Sequence, residues 1–206
     1  MDRVIAGRLL VSLGLASADI PSAGLTKSRA RRDSRARVNY YQPAPPSQLG
    51  FIPAGADGTR ATLRQMASLV KRYKVDPSIR MLAQQITRGL KSHDELAEVT
   101  ALQHFVRDRI RYVKDVDGVE TLQAPPYTLK MQSGDCDDKA ILLATLLATI
   151  GYTSQFIALG FNGRDFSHVL TAVKLGTRFI PLETIINGAE PGWFPKGANP
   201  VLPWNF

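Results

Sequence analysis

Cysteine occurs once in this 206-residue chain, at position 136. No internal disulfide can form, which suits cytosolic production and equally suits an enzyme that must keep its thiol free. Long apolar runs are also missing. The longest candidate, Val4 to Ala18, is interrupted by Arg8 and is too short and too broken to span a membrane. It ends in Ala16-Ser17-Ala18 and so imitates a secretory leader, but the apolar segment left after Arg8 is short, and secretion by a signal peptide is not expected. The expectation is an apolar arm that becomes ordered when docked on a neighbour. Internal repeats are absent.

Acid is in deficit, with 18 Asp and Glu against 26 Lys and Arg, a net charge of +8. The excess is concentrated at one end: the first fifty residues hold 8 Lys or Arg against 3 Asp, or +5 of the total. Lys27 to Arg37 is too polar to pack and runs into Tyr40, Tyr41 and the proline-rich Pro43-Ala44-Pro45-Pro46. Such arms make extended contacts. Nucleic acid is one partner for a basic run, but aromatic interleaving and a recognisable binding fold are both lacking. A solvated or protein-bound arm is the favoured reading.

Beyond the arm, 44% hydrophobic content suffices for one sizeable core. Residues from about Thr59 to Lys114 read as helical: Ala61–Lys74, then Pro77–Leu90 with proline in its first turn, then a helix opened by Ser92 with Glu95 three residues on. In the third helix Leu96, Val99, Leu102, Phe105, Val106 and Ile110 recur at three and four residues and should face the core, with Tyr112 and Val113 ending it. Gln123-Ala124-Pro125-Pro126-Tyr127 reads as a breaker loop. Helices followed by short strands give an α+β class, a helical layer packed on a short antiparallel sheet.

Cys136 stands in Ser133-Gly134-Asp135-Cys136-Asp137-Asp138-Lys139-Ala140, after a glycine turn and before the apolar helical stretch Ala140–Ile150. Unpaired N–H groups and the positive end of the helix dipole favour a thiolate there. The alternative is a buried structural cysteine. A nucleophilic thiol needs a base, and the base needs an orienting group. His168 opens the strand pattern Ser167-His168-Val169-Leu170-Thr171-Ala172-Val173, and Glu183 ends a second strand, Arg178-Phe179-Ile180-Pro181-Leu182-Glu183. The Leu175-Gly176-Thr177 turn is short enough to make these an antiparallel hairpin, so a residue late in the second strand lies beside one early in the first. His93, beside Ser92, and His104, within a helical pattern, are weaker candidates.

From about Leu96 to Glu183 these residues resemble the transglutaminase-like cysteine peptidases of the papain-like superfamily. The likeness lies in the glycine-acid-Cys helix start, the Phe166-Ser167-His168-Val169 strand and the strand ending at Glu183, in the order Cys, His, acid. The family's acid is usually Asp; Glu183 is one methylene longer. The resemblance implies attack by Cys136 on an amide or ester carbonyl, with His168 as acid and base, Glu183 orienting it, and the Cys136 N–H as one oxyanion donor. Gln132 is a weak candidate for the second donor.

Asp135, Asp137 and Asp138 place negative charge beside the sulfur and should raise its pKa. They serve either helix capping or a calcium site that would neutralise them. A calcium-dependent bacterial branch of the family, periplasmic peptidases that trim adhesins, has a similar acid-Cys-acid-acid run; no cofactor is otherwise required. The chain divides into a basic, proline-rich arm (1–58), a transglutaminase-like domain (59–186) and a tail (187–206) rich in Pro and Trp and poor in regular-structure signals, which should wrap the domain or a partner. Small proteins of this family with the same cysteine run also occur in tailed phages and prophages, which implies a virion component, or the host cytoplasm during assembly, with protein partners on arm and tail. A peptide or peptidoglycan amide is the implied substrate. The alternative is a structural virion protein that uses the peptidase fold as scaffold.

Overall fold

The computed structural model describes residues 8–12, 48–51, 55–91, 93–115, 119–163 and 165–206. The basic run 27–37, the proline-rich segment 43–46 and Ser92 lie outside them.

The helical layer begins with α1 (Gly55–Tyr73), which starts earlier than Ala61. Next comes α2 (Pro77–Thr87), with Pro77 at its first turn and Asp76 as cap, accepting from the Ser78 and Ile79 N–H groups. In α3 (Glu95–Arg109) the cap is Asp94, whose carboxylate accepts from the Ala97 N–H at 3.1 Å. That assigns to Asp94 the capping role expected of Ser92. Val99, Leu102, Val106 and Ile110 are buried as their spacing predicts, whereas Leu96, expected inward, is 55% exposed. The inward face instead includes Gln103. The helix ends at Arg109, and Arg111–Tyr112 form a short strand, β3.

One further expectation is corrected. The segment read as a breaker loop is α4 (Pro125–Met131), with its two prolines in the first turn, where their missing N–H groups lack helical partners anyway. The cysteine helix α5 (Cys136–Thr149) starts at Cys136, where the sequence places a helix N-terminus. Twelve of its fourteen residues are buried, so it is the central helix, apolar on every side beyond its first turn. Its Ala140, Ile141 and Ala144 pack with Leu63, Met66 and Val70 of α1, and its Leu142, Leu143, Leu146 and Leu147 with residues of α2 and α3.

Against α5 lies a four-stranded antiparallel sheet in the order β8, β7, β6, β9, formed by β6 (Ser154–Phe161), β7 (Phe166–Leu175), β8 (Arg178–Leu182) and β9 (Ala198–Asn205). The β7–β8 hairpin closes with Leu175 opposite Arg178 around Gly176, whose φ is +58°. The tail expected to lack regular structure supplies β9, paired with β6 so that Phe156 faces Trp204. At a sheet edge, a proline's missing donor need not interrupt the ladder, so Pro200 and Pro203 are tolerated. Leu202, Trp204 and Phe206 pack on the core.

A separate three-stranded sheet has the order β2, β1, β4. Here β1 (Arg8–Ser12) pairs antiparallel with β2 (Gln48–Phe51) and parallel with β4 (Val119–Gln123). Part of the apolar arm thus pairs with the chain's own strand, where docking on a neighbour was expected. No described helix is long and apolar enough to cross a membrane.

Candidate active site

The α5 N-terminus is built by reciprocal capping. Asp135 accepts from the Asp137 and Asp138 N–H groups at 2.9 and 3.0 Å, and Asp138 Oδ2 accepts from the Asp135 N–H at 3.3 Å. Asp138 Oδ1 takes the Gln123 N–H at 2.7 Å, tying the end of β4 to the helix start. Both Asp138 oxygens are therefore committed to backbone donors. Burial pushes its carboxyl well above the carboxylate range, Asp135 adds to the rise, and the two N–H donors only partly offset it. Just upstream, β5 (Ser133–Gly134) pairs in parallel with β3, and Tyr112 lies opposite Gly134.

Cys136, half-buried at the first position of α5, has its thiol 3.5 Å from Asp137 Oδ1. Burial, then the charges of Asp137 and Asp135, push this thiol well up; a backbone hydrogen bond from Val169 acts the other way and loses. The helix terminus was expected to favour a thiolate and the flanking acids to oppose it; the acids, joined by desolvation, prevail.

The second group forms on the hairpin. His168 Nε2 and Glu183 Oε2 are 2.7 Å apart, and Glu183 Oε1 accepts from the Thr184 and Ile185 N–H groups at 2.7 Å each. Burial alone would raise the Glu183 carboxyl, but the His168 hydrogen bond and charge and the two N–H donors outweigh it, holding the group below its ordinary value. A carboxylate is acceptor-only, so the proton of that bond belongs to Nε2, and in the neutral ring Nδ1 keeps its lone pair. Cys136 and His168 are linked through the Val169 contact, one residue past the histidine; the thiol's hydrogen bond goes to Asp137 and not to the ring. Thr171 Oγ1 donates to the Ala140 carbonyl at 3.0 Å and locks β7 to α5 one helical turn beyond Cys136.

Of the three acids considered for calcium, Asp135 and Asp137 converge with Cys136, their ligand atoms lying within 4.8 Å of one another, while Asp138 is spent on the backbone. The set is two carboxylates and a sulfur, and Asp135 is also the cap. Calcium takes six to eight oxygens, so these side chains alone do not complete a calcium cage. Gln132 caps α4 in a left-handed conformation, φ 51°, and its carbonyl accepts from the Arg111 N–H at 2.8 Å.

Sequence reasoning missed three residues. Tyr112 lies near enough for Cys136, Asp135 and Asp137 to raise its phenol pKa after burial has done so, which keeps it a hydroxyl donor. Lys139, almost fully buried, donates to the Ile110 and Arg107 carbonyls at 2.6 and 3.3 Å and so caps α3. Gln103, fully buried on α3, donates to the Glu183 carbonyl at 2.8 Å. A lysine directly after an acid run and a glutamine inside an apolar stripe are the only signals either leaves in sequence. Two open depressions, about 490 and 450 Å³, sit around Glu98, Ile150 and Gly151. They lie at the other end of α5, about 20 Å from Cys136 at 1.5 Å per residue, and so are separate from this site.

The fold has a known counterpart. A solved structure of a proposed protease from Parabacteroides distasonis matches at 16% identity with a TM-score of 0.50, covering 73% of this chain and 31% of that one. One of a proposed cysteine protease from Cytophaga hutchinsonii matches at 16% identity and a TM-score of 0.45, covering 58% and 42%. At 16% identity the likeness to the Parabacteroides distasonis structure is one of fold alone, and the chain spans less than half the length of either protein. Among curated proteins, none matches. The family model of the Transglutaminase-like superfamily matches residues 80–184, just over half of the chain and the stretch that carries Cys136, His168 and Glu183. The chain belongs to the transglutaminase-like superfamily.

Proposed function

We propose that this chain is a thiol-dependent acyl-transfer enzyme, a cysteine peptidase or amidase, with Cys136 as nucleophile, His168 as base and acid, and Glu183 as the group that orients it. One observation carries the reading: Glu183 has both oxygens engaged and binds His168 through Nε2, which leaves Nδ1 as a proton acceptor. The Cys136 thiol turns from Asp137 to His168 and gives its proton to Nδ1 as sulfur attacks the carbonyl carbon. The carbonyl π electrons move onto oxygen. When the tetrahedral species collapses, the C–N bond breaks, the amine leaves with the proton from Nδ1, and a thioester remains. Water or an acceptor amine, deprotonated by the same ring, then releases the acyl group.

The Cys136 N–H is one oxyanion donor; the Tyr112 hydroxyl and the Gln132 amide compete for the second place, and Tyr112→Phe against Gln132→Ala separates them. The substrate class is an amide of protein or cell wall. No cofactor is needed by this chemistry, and removing calcium with a chelator is expected to leave the acylation rate unchanged. Placement in a phage or prophage particle rests on the resemblance of the Gly134–Asp138 run, and peptide mass spectrometry of purified particles tests it.

The thiol's hydrogen bond to Asp137, and not to His168, favours a second reading, a scaffold with a vestigial site. Treatment with an activated ester decides between them. An acyl adduct on Cys136 that forms in the wild type and not in His168→Ala supports the enzyme; equal slow labelling of both supports the scaffold.

A further inference from the structure

Beyond Leu182, the last residue of β8 in the ladder, Glu183 has no strand partner to fix its peptide group. The fixing comes from α3. Gln103 Nε2 donates to the Glu183 carbonyl at 2.8 Å and to the Ala189 carbonyl at 3.1 Å, so both amide hydrogens hold the two ends of the 183–189 loop. One turn on, the Arg107 guanidinium donates to the same Ala189 carbonyl at 2.7 Å and lies 3.6 Å from Glu190, which His104 meets at 3.0 Å. Gln103 Oε1 is buried without a partner. That orphan acceptor is informative. Of the amide only the NH₂ is used, and an apolar side chain of similar shape would leave the Glu183 carbonyl without that donor. What the amide uniquely supplies is its pair of donors.

We propose that Gln103 is a positioning residue of the site, its amide fixing the main chain of Glu183 and thereby the orientation of the carboxylate that holds His168. The inference rests on the reading of Cys136, His168 and Glu183 as a triad. Gln103 touches neither substrate nor reacting atoms. It acts because the Glu183 peptide plane sets where Oε1 meets the Thr184 and Ile185 N–H groups and where Oε2 meets Nε2. Displacements of about 1 Å at such a group can slow a reaction by up to about 100-fold.

The test is Gln103→Met, of similar length and without donors, measured in the full chain by three readouts: thermal stability, the pH profile of Cys136 acylation by an activated ester, and the hydrogen-bonded Nε2 proton of His168 in the NMR spectrum. The expected result is a stably folded protein with that proton signal shifted or lost, the midpoint of the acid limb moved, and acylation at least about tenfold slower. An unchanged signal and unchanged pH midpoint, whatever the stability, overturn the inference. If Gln103→Met does not fold, Gln103→Asn carries the same readouts, its retracted donors giving an intermediate loss if positioning holds and none if it does not. Absence of the Nε2 signal in the wild type would sink the triad reading itself, a separate failure.

Discussion

Glu183 reaches His168 along a diagonal. The β7–β8 ladder pairs Leu182 with Thr171, so continuing it by one residue sets Glu183 opposite Leu170, two residues from the histidine it bonds at 2.7 Å. Diagonal neighbours on a sheet lie about 7–8 Å apart, and the extra methylene of Glu over the family's usual Asp helps the carboxylate span that interval. Glu183→Gln therefore reverses the ring. Its single carbonyl oxygen stays with the Thr184 and Ile185 N–H groups, its NH₂ faces His168, and the proton moves from Nε2 to Nδ1. Acylation of Cys136 should fall by roughly 10³–10⁴-fold, the scale of a wrong tautomer in a comparable triad, and imidazole ¹⁵N shifts should show the exchange of protonated nitrogen. Unchanged shifts would refute it.

The thiol is restrained by its neighbour. Asp137→Asn removes both a charge and an ionic hydrogen bond that raise the Cys136 pKa, so the thiolate fraction at neutral pH should increase. Alkylation by iodoacetamide is expected to quicken by about 3- to 10-fold; a slower rate would show that Asp137 assists the sulfur.

Lys139 gives a pH dependence of known sign. Burial lowers its pKa from 10.5 to about 8, against the raising charges of Glu183 and Asp108. Between about 8 and the unfolded-state value near 10.4, the unfolded chain holds a proton that the folded chain has released, so stability rises with pH across that window. Below it the buried charge is a full cost. Lys139→Met removes this term along with the caps on Ile110 and Arg107, so its melting temperature relative to wild type should decline steadily as pH is raised from neutral to about 10. A constant difference would count against the shift.

The C-terminal strand is part of the core. Phe206 stacks on Phe156 with ring centroids 4.5 Å apart and planes tilted by 34°. Phe206→Ala should cost about 1–2 kcal/mol in chemical denaturation. Deleting residues 198–206 removes β9 and bares the β6 edge, for which aggregation on expression is the expected outcome.

What could be read from sequence was what local chemistry dictates. A two-residue turn at Gly176 fixes a hairpin register, and with it the meeting of His168 and Glu183; an unbroken apolar run announces α5. The misreadings share a cause, since each residue's role depends on a distant partner. Pro125 and Pro126 look like breakers until they are placed at a helix start, Pro200 and Pro203 until they are placed on an edge. Gln103 interrupts an apolar stripe and gains its meaning only from the carbonyl 80 positions away. For the thiol, the opposing pulls of the helix dipole and the flanking acids were legible in sequence, and the depth of burial that adds to the acids was not.

Gly134 is defined by an absent atom. A Cβ there would lie 2.6 Å from Cβ of Asp138 and 2.8 Å from its Oδ2, closer than atoms tolerate, so β5 and the first turn of α5 are spaced by the lack of a methyl group. Any larger residue wedges the two apart and carries the Cys136 sulfur away from the strand of His168. On the proposed function, substitutions at position 134 should therefore score with those at Cys136 in a screen for lost function, although glycine contributes no reactive group: one hydrogen serves as the ruler for the whole site.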